Sequence, residues 1–295
     1  MIDFRELVKK GVHFGHQTSR WCPKMAPYIW GSRGKTHLIN VAITAYKAEK
    51  AAQFIENLAA DGQIILWVGT KKSAQKIIEE ISQELGMPGV YHRWIGGIIS
   101  NFGQIKKSVT KMLHYEDVLA NASKHGNYTK KELNTIQKMV DRLNKSVGGL
   151  RKLVWPIGAV VIVDVNKERS ALLEATQMGV PVVALVDTNC DPSLVDYVVP
   201  GNDDAPDAIA IILNYFKDAA HRGMAKANNK ATEQAIVDTQ EERSIEAGAA
   251  VLTLDTEEEE QQPAQQQKKP RKIMAAAKSS IPGASRKLKA SQSDD

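Results

Sequence analysis

"QIILWVGTKKSA" spans residues 63–74, and its reading decides the fold. The first six residues are almost continuously apolar and end at Gly69, the pattern of a strand buried on both faces of a parallel sheet. Thr70, Lys71 and Lys72 follow, and a helical pattern runs over 71–85. A strand feeding a basic turn at a helix N-terminus is a common way of holding phosphate. Both nucleotide motifs of that layout fail on spacing. A P-loop needs a second glycine before the lysine, and a dinucleotide fingerprint needs three glycines where "GTKKSA" has one. What remains is a basic strand-to-helix turn: either a plain connection with solvated lysines or a surface turned toward the phosphates of a nucleic acid.

The same unit recurs outward from this stretch. "AVVIVDV" (159–165) and "PVVALVD" (181–187) are equally apolar, and "DYVVP" (196–200) is a shorter strand ended by Pro200. Helical patterns occupy 43–60, 71–85, 167–178 and 204–222. Strands alternating with helices predict a parallel sheet with right-handed crossovers and helices on both faces.

One segment breaks the alternation. Residues 103–147 hold no strand candidate, and Leu133, Ile136, Val140, Leu143 and Val147 follow the 3-4-3-4 spacing of a coiled-coil seam. Ile105, Val109, Met112 and Leu119 make a looser counterpart, and "NASKHGNYTKKE" (121–132) supplies a turn with a capping box from Thr129 to Glu132. An antiparallel helical hairpin is expected, with outer faces carrying Lys106, Lys107, Lys111, Lys130, Lys131, Lys138, Arg142 and Lys145.

Charge is unevenly distributed. The chain carries a formal +5, but residues 231–295 hold nine basic and twelve acidic residues, leaving 30 against 22 in residues 1–230. That body favours an anionic partner. The segment 231–295 has no aromatic residue, an "EEEE" block at 257–260 and eight basic residues between Lys268 and Lys289. It lacks the apolar surface to offset chain entropy, so disorder is expected. Cys22 and Cys190 give no disulfide framework. "MIDFRELVKK" is not a signal peptide and no run is long enough to span a membrane, so a soluble intracellular protein is expected.

Chemistry concentrates in three places. "GVHFGHQTSRWCPKMAPYIWGSRGKTHLIN" (11–40) interleaves His13, His16 and His37 with Phe14, Trp21, Tyr28 and Trp30, and adds Arg20, Lys24, Arg33 and Lys35. Its glycines and prolines suggest mostly loop, and cations among aromatics suit phosphates and unpaired bases; a strap with its rings buried is the plainer alternative. His13, His16 and Cys22 lack a fourth ligand for a local zinc site. No nucleophile sits in a G-x-S-x-G-type turn. In "PGNDDAPD" (200–207), Asp203 and Asp204 precede a helix, where capping is the ordinary role. "YHRWIGGIISN" (91–101) sets Arg93 and Trp94 before Gly96–Gly97, and Asn101 at the mouth of the helical segment.

Taken together, "GVHFGHQTSRWCPKMAPYIWGSRGKTHLIN", "VGTKKSA", "HRWIGGIISNF", "IVDVNKE", "GVPVVALVDTNCDP" and "VPGNDDAPDAI" occur in an order that resembles the small-subunit ribosomal protein S2 family, of bacterial or organellar type, over residues 2–225. The resemblance implies a flavodoxin-like parallel sheet (1–102 and 148–230) with an inserted coiled-coil hairpin (103–147) and a charged tail (231–295). It implies a structural, non-enzymatic protein that binds small-subunit rRNA and neighbouring ribosomal proteins, helps anchor ribosomal protein S1, and resides in the small subunit in the cytoplasm or an organelle. No membrane partner and no homo-oligomer are expected. The RNA-facing set is then Arg20, Lys24, Arg33, Lys35, Lys71, Lys72, Arg93, Trp94, Asn101, Lys106 and Lys107. No cofactor is required, although the resemblance allows zinc or magnesium at His16, Asp187 and Asp203. An α/β enzyme binding a phosphorylated small molecule is the alternative.

Overall fold

The computed structural model describes residues 2–121 and 128–229; the tail 231–295, and residues 122–127 of the expected turn, lie outside the described residues. Five parallel strands form the central sheet: β4 (Ile64–Val68), β5 (Gly89–Val90), β6 (Ile157–Val163), β7 (Val182–Val186) and β8 (Tyr197–Pro200). Their order is β5–β4–β6–β7–β8, the doubly wound order of flavodoxin-like folds, whose switch point lies between the first and third strands in sequence, here β4 and β6.

Burial follows the two-residue period of the strands. Ile65, Trp67, Val161, Val163, Val183 and Leu185 face one core. It is covered by α1 (Phe4–Lys9), α2 (Val41–Ala60), α3 (Lys72–Leu85) and α7 (residues 206–229). Leu66, Val68, Val160, Ile162, Val182 and Ala184 face the other. That face is covered by α6 (Arg169–Gln177), by the bases of α4 (Phe102–Ala120) and α5 (Lys130–Val147), and by Trp94, Ile98 and Ile99. Continuous apolar runs are what two buried faces require, which is why these strands were readable.

The element bounds shift in places for local reasons. Strand β6 ends two residues before Val165 because Asp164 takes a left-handed backbone, φ 66°. The last helix starts at 206 rather than 204 and is still helical at 229, the last residue described there, beyond the expected end at 222. The expected capping by Asp203 and Asp204 is not seen; Asn202 instead folds the turn ahead of the helix, its side chain accepting from the N–H groups of Asp204 (2.8 Å) and Ala205 (3.3 Å). Strand β5 is only two residues long, too short for any periodicity.

The N-terminal region corrects the expectation of loop. It forms an antiparallel sheet in the order β1 (Phe14–Gln17), β3 (Thr36–Ile39), β2 (Ile29–Arg33). Gly34 and Lys35, at φ 57° and 64°, make the tight left-handed turn between β2 and β3. These strands contain a single fully buried residue, Ile39, so they show no hydrophobic alternation.

Helices α4 and α5 lie between β5 and β6 and pack on each other. The burial of α5 repeats the expected seam: Val140 and Val147 are buried, while Leu133, Ile136 and Leu143 are half-buried. Thr129 and Glu132 form the capping box in both directions. Arg151, just past α5, pairs through both terminal nitrogens with Glu116 of α4.

Candidate nucleic-acid interface and the acidic cluster beside it

The C-terminal ends of the parallel strands bring four aspartates together at one end of the sheet. Asp164 follows β6, Asp187 follows β7, and Asp203 and Asp204 follow β8. Lys71, at the N-cap of α3, reaches into them: its Nζ lies 2.8 Å from Asp203 Oδ1, 2.6 Å from Asp204 Oδ1 and 3.4 Å from Asp164 Oδ2. Burial pulls the ammonium pKa down, but the hydrogen bonds and charges of these aspartates outweigh it and the net direction is upward. Asp203 is fully buried. Burial, with the charges of Asp164 and Asp187, pushes its carboxyl up to about 7 against the pull of Lys71.

The turn after β4 is closed from within. Glu168 Oε1 accepts both the N–H of Thr70 (2.8 Å) and its hydroxyl (2.5 Å), and Lys167 Nζ donates to the Thr70 carbonyl at 3.1 Å. A phosphate at a strand-to-helix turn needs free N–H groups; here the chain's own carboxylate holds that of Thr70, the residue before the N-cap of α3, at the switch point where a doubly wound enzyme would bind substrate. Lys71 is likewise withdrawn from the RNA-facing set, because three carboxylates engage its ammonium.

His16 joins the cluster from the N-terminal sheet. Its Nδ1 lies 2.9 Å from Asp187 Oδ2, out of line for a hydrogen bond, and its Nε2 lies 3.4 Å from Asp204 Oδ2. Asp187 raises the imidazole pKa, burial opposes it, and Asp203 and Asp204 add to the rise. The approach depends on Gly15: a Cβ there would lie 2.6 Å from Thr188 Cγ2 and 2.8 Å from its Oγ1. The backbone therefore comes close enough for the His16 N–H to donate to Thr188 Oγ1 at 2.8 Å.

Among the described residues, two sets of donors lie within ion-sharing distance: His16, Asp203 and Asp204, and separately Asp164, Cys190 and Asp203. Asp203 Oδ2 is buried without a hydrogen-bond partner, and an imidazole with carboxylates suits zinc, so the residues fit a divalent ion. The first set exchanges the expected Asp187 for Asp204, although Asp187 stays beside His16. His13 and Cys22 belong to neither set; the His13 ring instead packs at a tilt of 37° against Phe14, with ring centroids 4.1 Å apart.

The remaining RNA-facing candidates fall into two groups. Arg20, Lys24, Arg33, Lys35, Lys72, Arg93, Asn101, Lys106 and Lys107 are exposed, and Lys24 makes a surface pair with Asp191 at 2.7 Å. Trp94 is not available for stacking. It is buried, and its indole N–H donates to Glu174 Oε2 at 3.0 Å. The same carboxylate accepts from the N–H groups of Gly97 (3.2 Å), Ile99 (2.9 Å) and Ser100 (2.8 Å), and from the Ser100 hydroxyl (2.9 Å). Glu174 thus ties down the loop that presents Arg93. Sequence reasoning assigned no role to Asp164, Glu168 or Glu174. Acids at the end of a buried strand beside a switch point were a usable signal for the first two; a glutamate within an ordinary amphipathic helix gave none for the third.

Strand order and a self-occupied switch point define a flavodoxin-like α/β domain built without a nucleotide cradle at its usual place. The chain belongs to the ribosomal protein S2 family: the family profile described as Ribosomal protein S2 matches residues 7–223. The small ribosomal subunit protein uS2 of Hahella chejuensis is 42% identical over 229 residues, covering 77% of this chain and 89% of that protein. This is a family of ribosomal proteins of the small subunit, not of enzymes. Among the described residues no helix is long and apolar enough to cross a membrane.

Proposed function

We propose that the chain binds small-subunit rRNA through its N-terminal sheet and the loop at Arg93, and so takes its place in the small subunit among neighbouring ribosomal proteins. The observation that carries this reading is the outer surface of the N-terminal region. Trp30 is 75% exposed and Trp21 38%, and exposed Arg20, Lys24, Arg33 and Lys35 lie among them. Large exposed rings between cations fit stacking on unpaired bases with phosphates alongside. Lys72, Arg93, Asn101, Lys106 and Lys107 extend the surface. Helices α4 and α5 act as an antiparallel coiled-coil insertion, supported by the burial of their seam. Anchoring of ribosomal protein S1 and a divalent ion at His16, Asp187 and Asp203 belong to the same reading, the ion supported by the donor set and the unbonded Asp203 Oδ2.

The test is binding to purified small-subunit rRNA across a salt series. The Arg33→Ala/Lys35→Ala variant should bind more weakly, and the slope of log K against log salt should flatten by about 0.7–0.9 per phosphate contact removed. Unchanged affinity and slope would take this sheet out of the interface.

A further inference from the structure

Lys71 lies where both candidate cation positions converge. One set of donors is His16, Asp203 and Asp204, the other Asp164, Cys190 and Asp203. Its ammonium touches an oxygen of every carboxylate in both sets: Asp203 Oδ1, Asp204 Oδ1 and Asp164 Oδ2, at 2.8, 2.6 and 3.4 Å. An ammonium ringed by three carboxylates at these distances does the work of a bound cation.

We infer that Lys71 is a tethered counter-cation that holds the acidic cluster while the protein is metal-free, so that lysine and an incoming divalent ion compete for the same oxygens. The competition is unequal by design of the chain. Lys71 is fixed to the N-cap of α3 and its side chain is four-fifths buried, so its ammonium is present at a high effective concentration that no dilute ion matches. Yet it does not saturate the cluster. Asp203 Oδ2 is fully buried and unbonded, and four aspartates (Asp164, Asp187, Asp203 and Asp204) face one lysine and one imidazole. The donors therefore remain competent for an ion once the ammonium leaves. A divalent ion entering beside Lys71 would meet a like charge in a poorly screened site, which is strongly unfavourable. This inference takes from the proposed function only that the donor set suits a divalent ion; it is independent of RNA binding.

The experiment uses the full chain, as wild type and as Lys71→Met, with Zn²⁺ as the probe in competition with a chromogenic chelator at neutral pH. The variant should bind zinc about tenfold more tightly or better, and zinc should raise its thermal midpoint by more than that of the wild type. Equal or tighter binding by the wild type, or no zinc bound by the folded variant, would overturn the inference. If Lys71→Met does not fold without zinc, the wild type carries the test through lysine acylation read by mass spectrometry. Lys71 should be protected in metal-free protein and become reactive as zinc saturates. Continued protection at saturating zinc, or no zinc bound at all, would refute the competition. RNA affinity measured alongside fails or holds separately.

Discussion

Gly15 and Asp203 show how single positions set the chemistry of the sheet edge. A Cβ at Gly15 would press on Thr188, which is itself fully buried and bonded to the His16 N–H. Gly15→Ala should therefore destabilise the protein by roughly 1–3 kcal/mol, measured by urea unfolding, and should expose Trp21 and Trp30 further to quencher. Asp203 works through protons. With a folded pKa of about 7 against an ordinary 3.8, it binds more protons folded than unfolded. Its contribution is fully present below about pH 4 and declines as pH rises through about 7. His16, whose pKa is also raised, loses stabilisation in the same direction at higher pH. Stability should thus fall between about pH 4 and 7, and Asp203→Asn should flatten that fall; an unchanged slope would assign it elsewhere. None of this was visible along the chain. Lys71 read as an outward-facing turn residue because its partner Asp203 lies 132 positions away, and local spacing carries no sign of such a pair.

At the scale of elements, α6 and the paired helices behave differently. Glu174→Ala removes the acceptor for three backbone N–H groups, an indole and a hydroxyl. Leaving buried donors unpaired should cost about 3 kcal/mol, with hydrogen exchange rising over 94–101. Because those bonds lower the Glu174 pKa against the opposing effect of burial, its contribution is present above the ordinary carboxylate range and is lost on acidification, opposite in sign to Asp203. In the helix pair, Met112 is fully buried, and Met112→Ala should cost about 2–5 kcal/mol. Exchange should rise most over 102–120 and 130–150 and less in β4 and β6, whose Leu66 and Val160 share the same buried cluster; an equal rise throughout would mean that the pair opens only together with the sheet. The buried stripe of α5 and its capping box were legible because a helix packed along one face repeats its contacts at fixed spacing. The antiparallel sheet at 14–39 was not, because strands with one buried residue between them carry no period. The burial of Trp94, a member of the expected RNA-facing set, was hidden for a related reason: the carboxylate that holds its indole sits on another element, 80 positions away.

For the molecule as a whole, the two layers of helices leave little freedom, and the remaining chemistry lies at the rim. Titration with ATP or inorganic phosphate should show no saturable binding at the Thr70 turn, because Glu168 already holds its N–H; saturable binding abolished by Lys72→Ala would contradict this. The docking of the N-terminal sheet has a further consequence during synthesis. That sheet is fastened by the His16 and Cys22 N–H groups to Thr188, at 2.8 Å each, across 172 positions in the first case. A chain made at about 5–20 residues per second needs roughly 9–34 s to pass from one attachment point to the other. The first strap of the polypeptide to be made is therefore among the last to be seated. On a nascent chain arrested before residue 188 emerges, residues 14–39 should be open to protease; once residues through 204 are out, they should close.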